Sequence, residues 1–225
     1  MTIVVKIAAL VPMKHHSQRV PEKNFRNLGG VPLFHHILNT LNQVQELSGI
    51  WINTDSPTIK KGVQDSFPDV HIIDRPDSLC GDLVSMNRIL LHDVRQVDAD
   101  IFLQTHSTNP LLTAQTISDA LQLFKEHREE SDSLFSVTRL QTRLWDQLGN
   151  AINHDPSNLI QTQDLPPIYE ENSCLYVFTR ESLENGGNRI GSRPYLLEIA
   201  PEEAWDIDTE FDFEVTEMFL KKRSE

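Results

Sequence analysis

Residues 3–11 read Ile3-Val4-Val5-Lys6-Ile7-Ala8-Ala9-Leu10-Val11, a run of β-branched and small apolar residues interrupted by one lysine. A strand with one wet face alternates apolar with polar side chains. A near-continuous apolar run instead marks a strand covered on both faces, as in a parallel sheet layered between helices. Working outward, Leu33, Ile37, Leu41, Val44 and Leu47 recur at helical spacing after the Gly29-Gly30 turn. Strand-like segments follow at Gly49–Asn53, Val70–Ile73 and Ala99–Gln104. A second helix places Ile117, Ala120, Leu121 and Phe124 on one face, with Thr113 as its N-cap. Ser133–Thr138 and Cys174–Thr179 read as further strands. Strands alternating with helices predict an α/β, doubly wound, mostly parallel sheet. Ligands in such sheets bind beyond the carboxyl ends of the strands. The loops after Val11, Asn53, Ile73 and Gln104 are therefore where chemistry is expected.

Between about Leu140 and Pro194 the alternation weakens, and Asn150–Asn158 and Pro166-Pro167 signal loops. The reading is one domain over residues 1–225 with an inserted region at about 140–195. A hydrophobic fraction of 39% is sufficient for a packed core. The formal net charge of −13 disfavours nucleic acid and anionic membranes as bulk partners. No apolar run approaches the roughly 18 residues of a membrane span, and the opening Met1–Lys6 lacks the pattern of a signal peptide. Cys80 and Cys174 are too few for a disulfide framework or a zinc site. A cytoplasmic location is expected.

The charge is unevenly spread. Residues 1–30 carry Lys6, Lys14, Arg19, Lys23 and Arg26 against the single acid Glu22. Four of these cations follow the first strand directly, where fixed cations and backbone N–H groups can surround a polyphosphate. At the other end, acidic residues crowd Glu198–Glu217 with no Lys or Arg among them. Within that stretch Asp206 and Asp208 point to one side if the chain is extended. Two same-side carboxylates suit a magnesium ion that takes its remaining ligands from phosphate and water. Thr209 and Asp212 form a capping-box pattern that starts a helix just beyond them.

The residues Pro12-Met13-Lys14-His15-His16-Ser17-Gln18-Arg19-Val20-Pro21-Glu22-Lys23-Asn24 resemble the P-A-R-G-G-S-K-R-x-P-x-K-N signature of the acylneuraminate cytidylyltransferases, the CMP-sialic acid synthetase family. Asp206-Ile207-Asp208-Thr209-Glu210-Phe211-Asp212-Phe213 resembles the family's closing D-I-D-T-E-x-D-F. His15 and His16 stand where the signature has two glycines; the expectation is that they contribute side-chain donors to the phosphates. Between the end motifs, Asn53-Thr54-Asp55 is similar to S-T-D, with Asp55 expected to cap the next turn. Arg75 through Ser85 is similar to R-P-x-x-L-x-x-D-x-x-x-S, and Leu103–Leu111 to L-Q-P-T-S-P-L with two extra residues. Glu171–Phe178 is similar to R-E-N-G-A-I-Y-V-F.

The resemblance implies a Rossmann-like nucleotidyltransferase fold whose inserted region supports dimerisation and sugar binding. It implies nucleotide contacts from Lys14, Ser17, Arg19, Lys23, Asn24, Arg75 and Ser85. It places a sugar contact at Gln104 or His106, both of which stay candidates, and another at Asn172. It assigns Mg2+ to Asp206 and Asp208. With Lys14, Arg19 and Lys23, these two aspartates form the expected catalytic set. The implied reaction joins CMP from CTP to a sialic-acid-like nonulosonic acid, in a homodimer. The alternatives are the same chemistry on another sugar acid such as Kdo, where that branch usually ends the first loop in Lys-Pro, or a non-catalytic nucleotide- or sugar-binding relative.

Overall fold

A computed structural model describes residues 5–15 and 20–224. The first strand, β1 (Ile7–Leu10), is buried along its whole length. It pairs in parallel with β4 (Gly49–Thr54) on one side and β6 (Ile101–Thr105) on the other. β5 (His71–Asp74) adds in parallel beyond β4. Past β6 lie β8 (Ile168–Thr179), β7 (Ser133–Leu140) and β9 (Pro194–Glu198), giving the order β5-β4-β1-β6-β8-β7-β9. Only β8 runs against its neighbours. A small antiparallel pair, β2 (Asn27–Leu28) and β3 (Val31–Pro32), follows the first loop. Its turn needs two residues at positive φ, supplied by Gly29 (φ 60) and Gly30 (φ 100).

The apolar run of β1 divides by alternation. Ile7, Ala9 and Val11 face a core formed with α1 (Leu33–Leu41), α2 (Pro57–Ser66) and α4 (Ala114–Glu126). Ala8 and Leu10 face a second core with α3 (Met86–Val94) and α5 (Arg180–Gly186). Both faces are covered, which is what the unbroken hydrophobicity requires. A third cluster of Leu28, Leu33, Ile207 and Phe213 docks the last helix, α6 (Glu210–Ser224), onto the β2–β3 pair.

Two expectations change. Helical periodicity continues to Leu47, but α1 ends at Leu41. Gln43 and Val44 donate to Thr40 and Leu41 in a tightened last turn, and Val44 enters the core from that turn. The weak alternation at 140–195 is not all insertion. β8 lies between β6 and β7, and α5 packs on the second core, so the excursion from the sheet covers 141–167. The polar first half of β8 disguises a strand that crosses from solvent to core.

Candidate active site

The sheet turns back on itself between β1 and β6: the chain winds outward from β1 to β4 and β5, then crosses to the other side. The crevice at such a reversal is the natural ligand site. Here Ser107, just past β6, donates to Asn24 Oδ1 at 2.7 Å, joining the loops that follow the two strands. A cleft of about 250 Å³ opens beside that bond, lined by Lys14, Lys23, Asn24, Arg75, Asp82 and His106 among others.

Lys23 sits on a short 3-10 turn (Lys23–Phe25) and is 8% exposed. Its ammonium donates to the Ile207 carbonyl and stands 3.5 Å from Asp208 Oδ1. Arg26 forms an ion pair with Glu210 at 2.5 Å and covers the Phe213 ring at 4.3 Å. Ile207 N donates to Thr108 O at 2.9 Å. The basic first loop and the acidic last segment therefore meet, with the loop after β6 between them. Ser17, Arg19, His16 and Gln18 lie outside the described residues.

Asp206 and Asp208 line a second pocket of about 450 Å³ together with Glu170, Glu171 and Asp212, and among the described residues no Lys, Arg or His lines it. The segment is not a paired strand, yet Ile207 is fully buried and its two neighbours, Asp206 and Asp208, both line the pocket. The capping box forms as the spacing predicts. Asp212 N donates to Thr209 Oγ1 at 3.3 Å, while Thr209 N and Asp208 N donate to Asp212 Oδ2 at 2.7 and 3.0 Å. Those bonds hold the Asp212 carboxyl below its ordinary range despite the opposing effect of burial. Among the described residues no group of three or more His, Cys, Asp or Glu side chains is arranged to hold a metal ion. Magnesium needs only one or two carboxylates when phosphate and water complete its shell, so the Asp206–Asp208 pair suits it.

Other side chains are braces as much as contacts. Arg75 donates from Nε to Asn53 Oδ1 at 2.6 Å and from its NH2 nitrogen to Asn53 O at 3.0 Å and Met13 O at 3.3 Å, tying the ends of β4 and β1. Asn53 in turn donates to the buried Asp93 at 2.5 Å. Burial raises the Asp93 pKa above the ordinary carboxylate value. Lys14 reaches across the cleft mouth to Asp82 at 2.8 Å. Asp55 does not cap the next helix; Ser56 does, accepting from Ile59 N at 3.2 Å. Asp55 accepts from His15 N at 2.9 Å, and the His15 ring is bonded to Ser56 Oγ at 2.6 Å, so this imidazole is turned toward the start of α2. Ser85 occupies the N-cap position of α3 without a capping bond and is exposed, between Val84 and Met86, which line the cleft.

Gln104 is fully buried and His106 lines the first cleft. Asn172 lines the second pocket while accepting from Ser136 Oγ at 2.6 Å and donating to Thr138 Oγ1 at 3.1 Å. Sequence reading missed Arg189, in the loop after α5. Its guanidinium lies 3.6 Å from the Tyr176 ring centroid and donates to Gln104 Oε1 at 2.6 Å. The nearby Gly186-Gly187 pair announces a turn, and nothing local announces that Arg189 returns to β6.

A crevice at the sheet reversal, cationic on one wall and backed by a carboxylate pocket, defines an α/β protein of the nucleotidyltransferase fold. Solved structures agree on that fold. A CMP:2-keto-3-deoxy-manno-octonic acid synthetase complexed with CTP aligns over 97% of this chain and 99% of its own, with a TM-score of 0.73 at 16% identity. A 4-diphosphocytidyl-2C-methyl-D-erythritol synthase from Anaerococcus prevotii aligns over 97% of both chains with a TM-score of 0.70 at 10% identity. The chain belongs to the cytidylyltransferase family, whose sequence model matches residues 8–223. It is 30% identical to N-acylneuraminate cytidylyltransferase B of Danio rerio over 93% of this chain and 50% of that protein. With the N-acylneuraminate cytidylyltransferase of Oncorhynchus mykiss it shares 27% identity over 94% of this chain and 49% of the relative. The chain thus spans about half the length of these two relatives. The CMP-N,N'-diacetyllegionaminic acid synthase of Legionella pneumophila is 27% identical over 98% of this chain and 99% of that protein.

Proposed function

We propose that this chain transfers CMP from CTP to the anomeric hydroxyl of a sialic-acid-like nonulosonic acid and releases pyrophosphate. The observation that carries the reading is the contact of Lys23 with Ile207 and Asp208, which brings the cationic cleft and the paired carboxylates to one place. The relatives named for N-acylneuraminate and legionaminic acid support the substrate class.

In this reading Lys14, Ser17, Arg19, Lys23 and Asn24 hold the triphosphate, and Arg75 and Ser85 contact the nucleotide. The sugar is met by Gln104 or His106, and by Asn172. The anomeric oxygen forms a bond to the α-phosphorus while the bond from that phosphorus to the bridging oxygen breaks. Pyrophosphate leaves with that electron pair, and the hydroxyl proton passes to solvent. Lys14, Arg19 and Lys23 offset the charge that builds on the leaving pyrophosphate, so catalysis is positioning plus charge stabilisation. Asp206 and Asp208 would hold Mg2+, which when bound supplies further charge neutralisation at phosphate oxygens.

A homodimer through the 141–167 excursion completes the reading. Trp145, Leu148, Ile152 and Leu159 are each more than half exposed there, an apolar surface that an interface would cover. Light scattering of Leu159→Glu is expected to give a monomer where the parent chain gives a dimer. A cytoplasmic location fits two free cysteines, and no helix among the described residues is long and apolar enough to cross a membrane.

The decisive assay is pyrophosphate release from CTP with a panel of sugar acids that includes sialic, legionaminic-type and Kdo substrates. Release is expected with a nonulosonic acid. Release with Kdo alone would move the substrate to the eight-carbon class, and no release with any sugar acid overturns the proposed activity.

A further inference from the structure

Gln104 and His106 compete on sequence for the same role, and the hydrogen-bond directions separate them. Arg189 carries donors only, so the Gln104 atom 2.6 Å from its NH1 nitrogen is the carbonyl oxygen. The Gln104 amide nitrogen then faces Thr105 O at 3.1 Å and His106 Nε2 at 2.9 Å. An amide nitrogen has no lone pair to offer, so His106 Nε2 accepts and the ring proton sits on Nδ1. Gln104 is fully buried with both ends of its amide engaged, which leaves it no group for a ligand. Nδ1 of His106 makes no hydrogen bond among the described residues, and the ring lines the cleft.

Arg189 is itself held fast. Its side chain is 15% exposed, lies over the Tyr176 ring, and stands 4.0 Å from Glu171 Oε1, which also accepts from the Tyr176 hydroxyl. Its backbone N donates to Asn87 Oδ1 at 3.1 Å. Burial, with the charges of Arg189 and Lys23, lowers the His106 pKa to about 3, so the ring is neutral at ordinary pH. Lys23 and His106 both line the first cleft, and Lys23 also reaches Asp208 of the second pocket, so His106 shares a cleft with the residue that joins the two.

We infer that Arg189, acting through Gln104, fixes His106 as a neutral Nδ1–H donor, and that His106 rather than Gln104 meets an acceptor oxygen of the sugar acid. Arg189 is a positioning residue and His106 a binding residue. The inference rests on the activity proposed above, and its test separates the two.

Long-range 1H–15N spectra of the free labelled protein, with His106 assigned by difference from His106→Gln, should show the Nδ1-protonated tautomer. An Nε2-protonated ring or an imidazolium overturns the relay. Arg189→Met should give a mixed tautomer and raise KM for the sugar acid on the order of tenfold, the loss of one well-placed hydrogen bond. KM for CTP should stay within about twofold. Arg189→Lys, which still donates to Gln104, should recover much of both effects. An unchanged tautomer in Arg189→Met overturns the positioning role, and a rise confined to KM for CTP overturns the sugar contact. If Arg189→Met does not fold, the parent spectrum still decides the relay. Absence of turnover with every sugar acid overturns the activity and the sugar contact together, while the spectrum tests the relay independently.

Discussion

On one side of the sheet, β5, β4, β1 and β6 all run parallel, and the first cleft is lined by the loops after β1, β5 and β6, with Met86 and Ile89 added from α3. On the other side β8 runs against its neighbours, and Asn172 and Ser173 reach the second pocket from the middle of that strand. The register between β7 and β8 shifts between Phe135 and Val137, and Ser173 adopts φ 59, a left-handed conformation uncommon for a residue with a Cβ. Parallel strands deliver chemistry through loop sequences that stay contiguous. Here the antiparallel strand presents Asn172 and Ser173 at an irregularity of its pairing, the kind of bulge that bends a strand and re-aims its side chains.

Substitutions on the two sides test this contrast. The largest effect is expected where they meet. Asp208→Ala should lower turnover by about a thousandfold or more while shifting Tm little, because it removes a charge-stabilising group from a partly exposed site. Near-normal pyrophosphate release would remove the metal role. Lys23→Ala should weaken CTP binding by roughly 10- to 100-fold in calorimetry, the usual cost of a lost charge-assisted contact. An unchanged affinity would detach the first loop from the nucleotide.

Acidification probes the boundary between the halves. The His106 pKa is lowered from 6.5 to about 3, so below pH 6.5 the unfolded chain takes up a proton that the folded ring refuses. Stability from this group is fully present above pH 6.5 and is lost as pH falls toward 3. Urea unfolding of His106→Gln should show a shallower loss between pH 7 and pH 4.5 than the parent chain.

Arg26→Ala should cost about 1 kcal/mol of stability, the combined scale of an exposed ion pair and a cation–π contact, with CTP affinity unchanged. Ser173→Gly should stabilise by about 1 kcal/mol through relief of the left-handed backbone. For a chain of this size that is roughly 2–4 °C in Tm. No gain in Tm would mean that the Ser173 hydroxyl, which accepts from Tyr176 at 3.1 Å, offsets the strain.

The same contrast explains what the sequence discloses. The buried strand, the Thr113 cap and the Thr209–Asp212 box are written in residues at most a few positions apart, and each forms as spacing predicts. The Asp206–Asp208 pair is equally local. The first half of β8 is polar, so periodicity marks only Cys174–Thr179. Its outer half is set by pairing with β7, a long-range property. Arg189 is invisible for the same reason: its role depends on α5 returning the chain to β6, 85 residues away. Asp55 and Ser56 are adjacent and both suit a helix start, so local sequence does not separate them; in the fold Ser56 caps α2 and Asp55 accepts from His15 N.

Lys23 and Ile207 touch across 184 residues of chain. Closing so long a loop comes late, because its entropy cost must be met by sheet and helices already in place. On a ribosome the amino-terminal loop is made early and waits, its buried-to-be ammonium still in water, until α6 follows it out. A growing chain therefore carries both halves of this contact long before it can form, and gains it in a single late closure rather than by degrees.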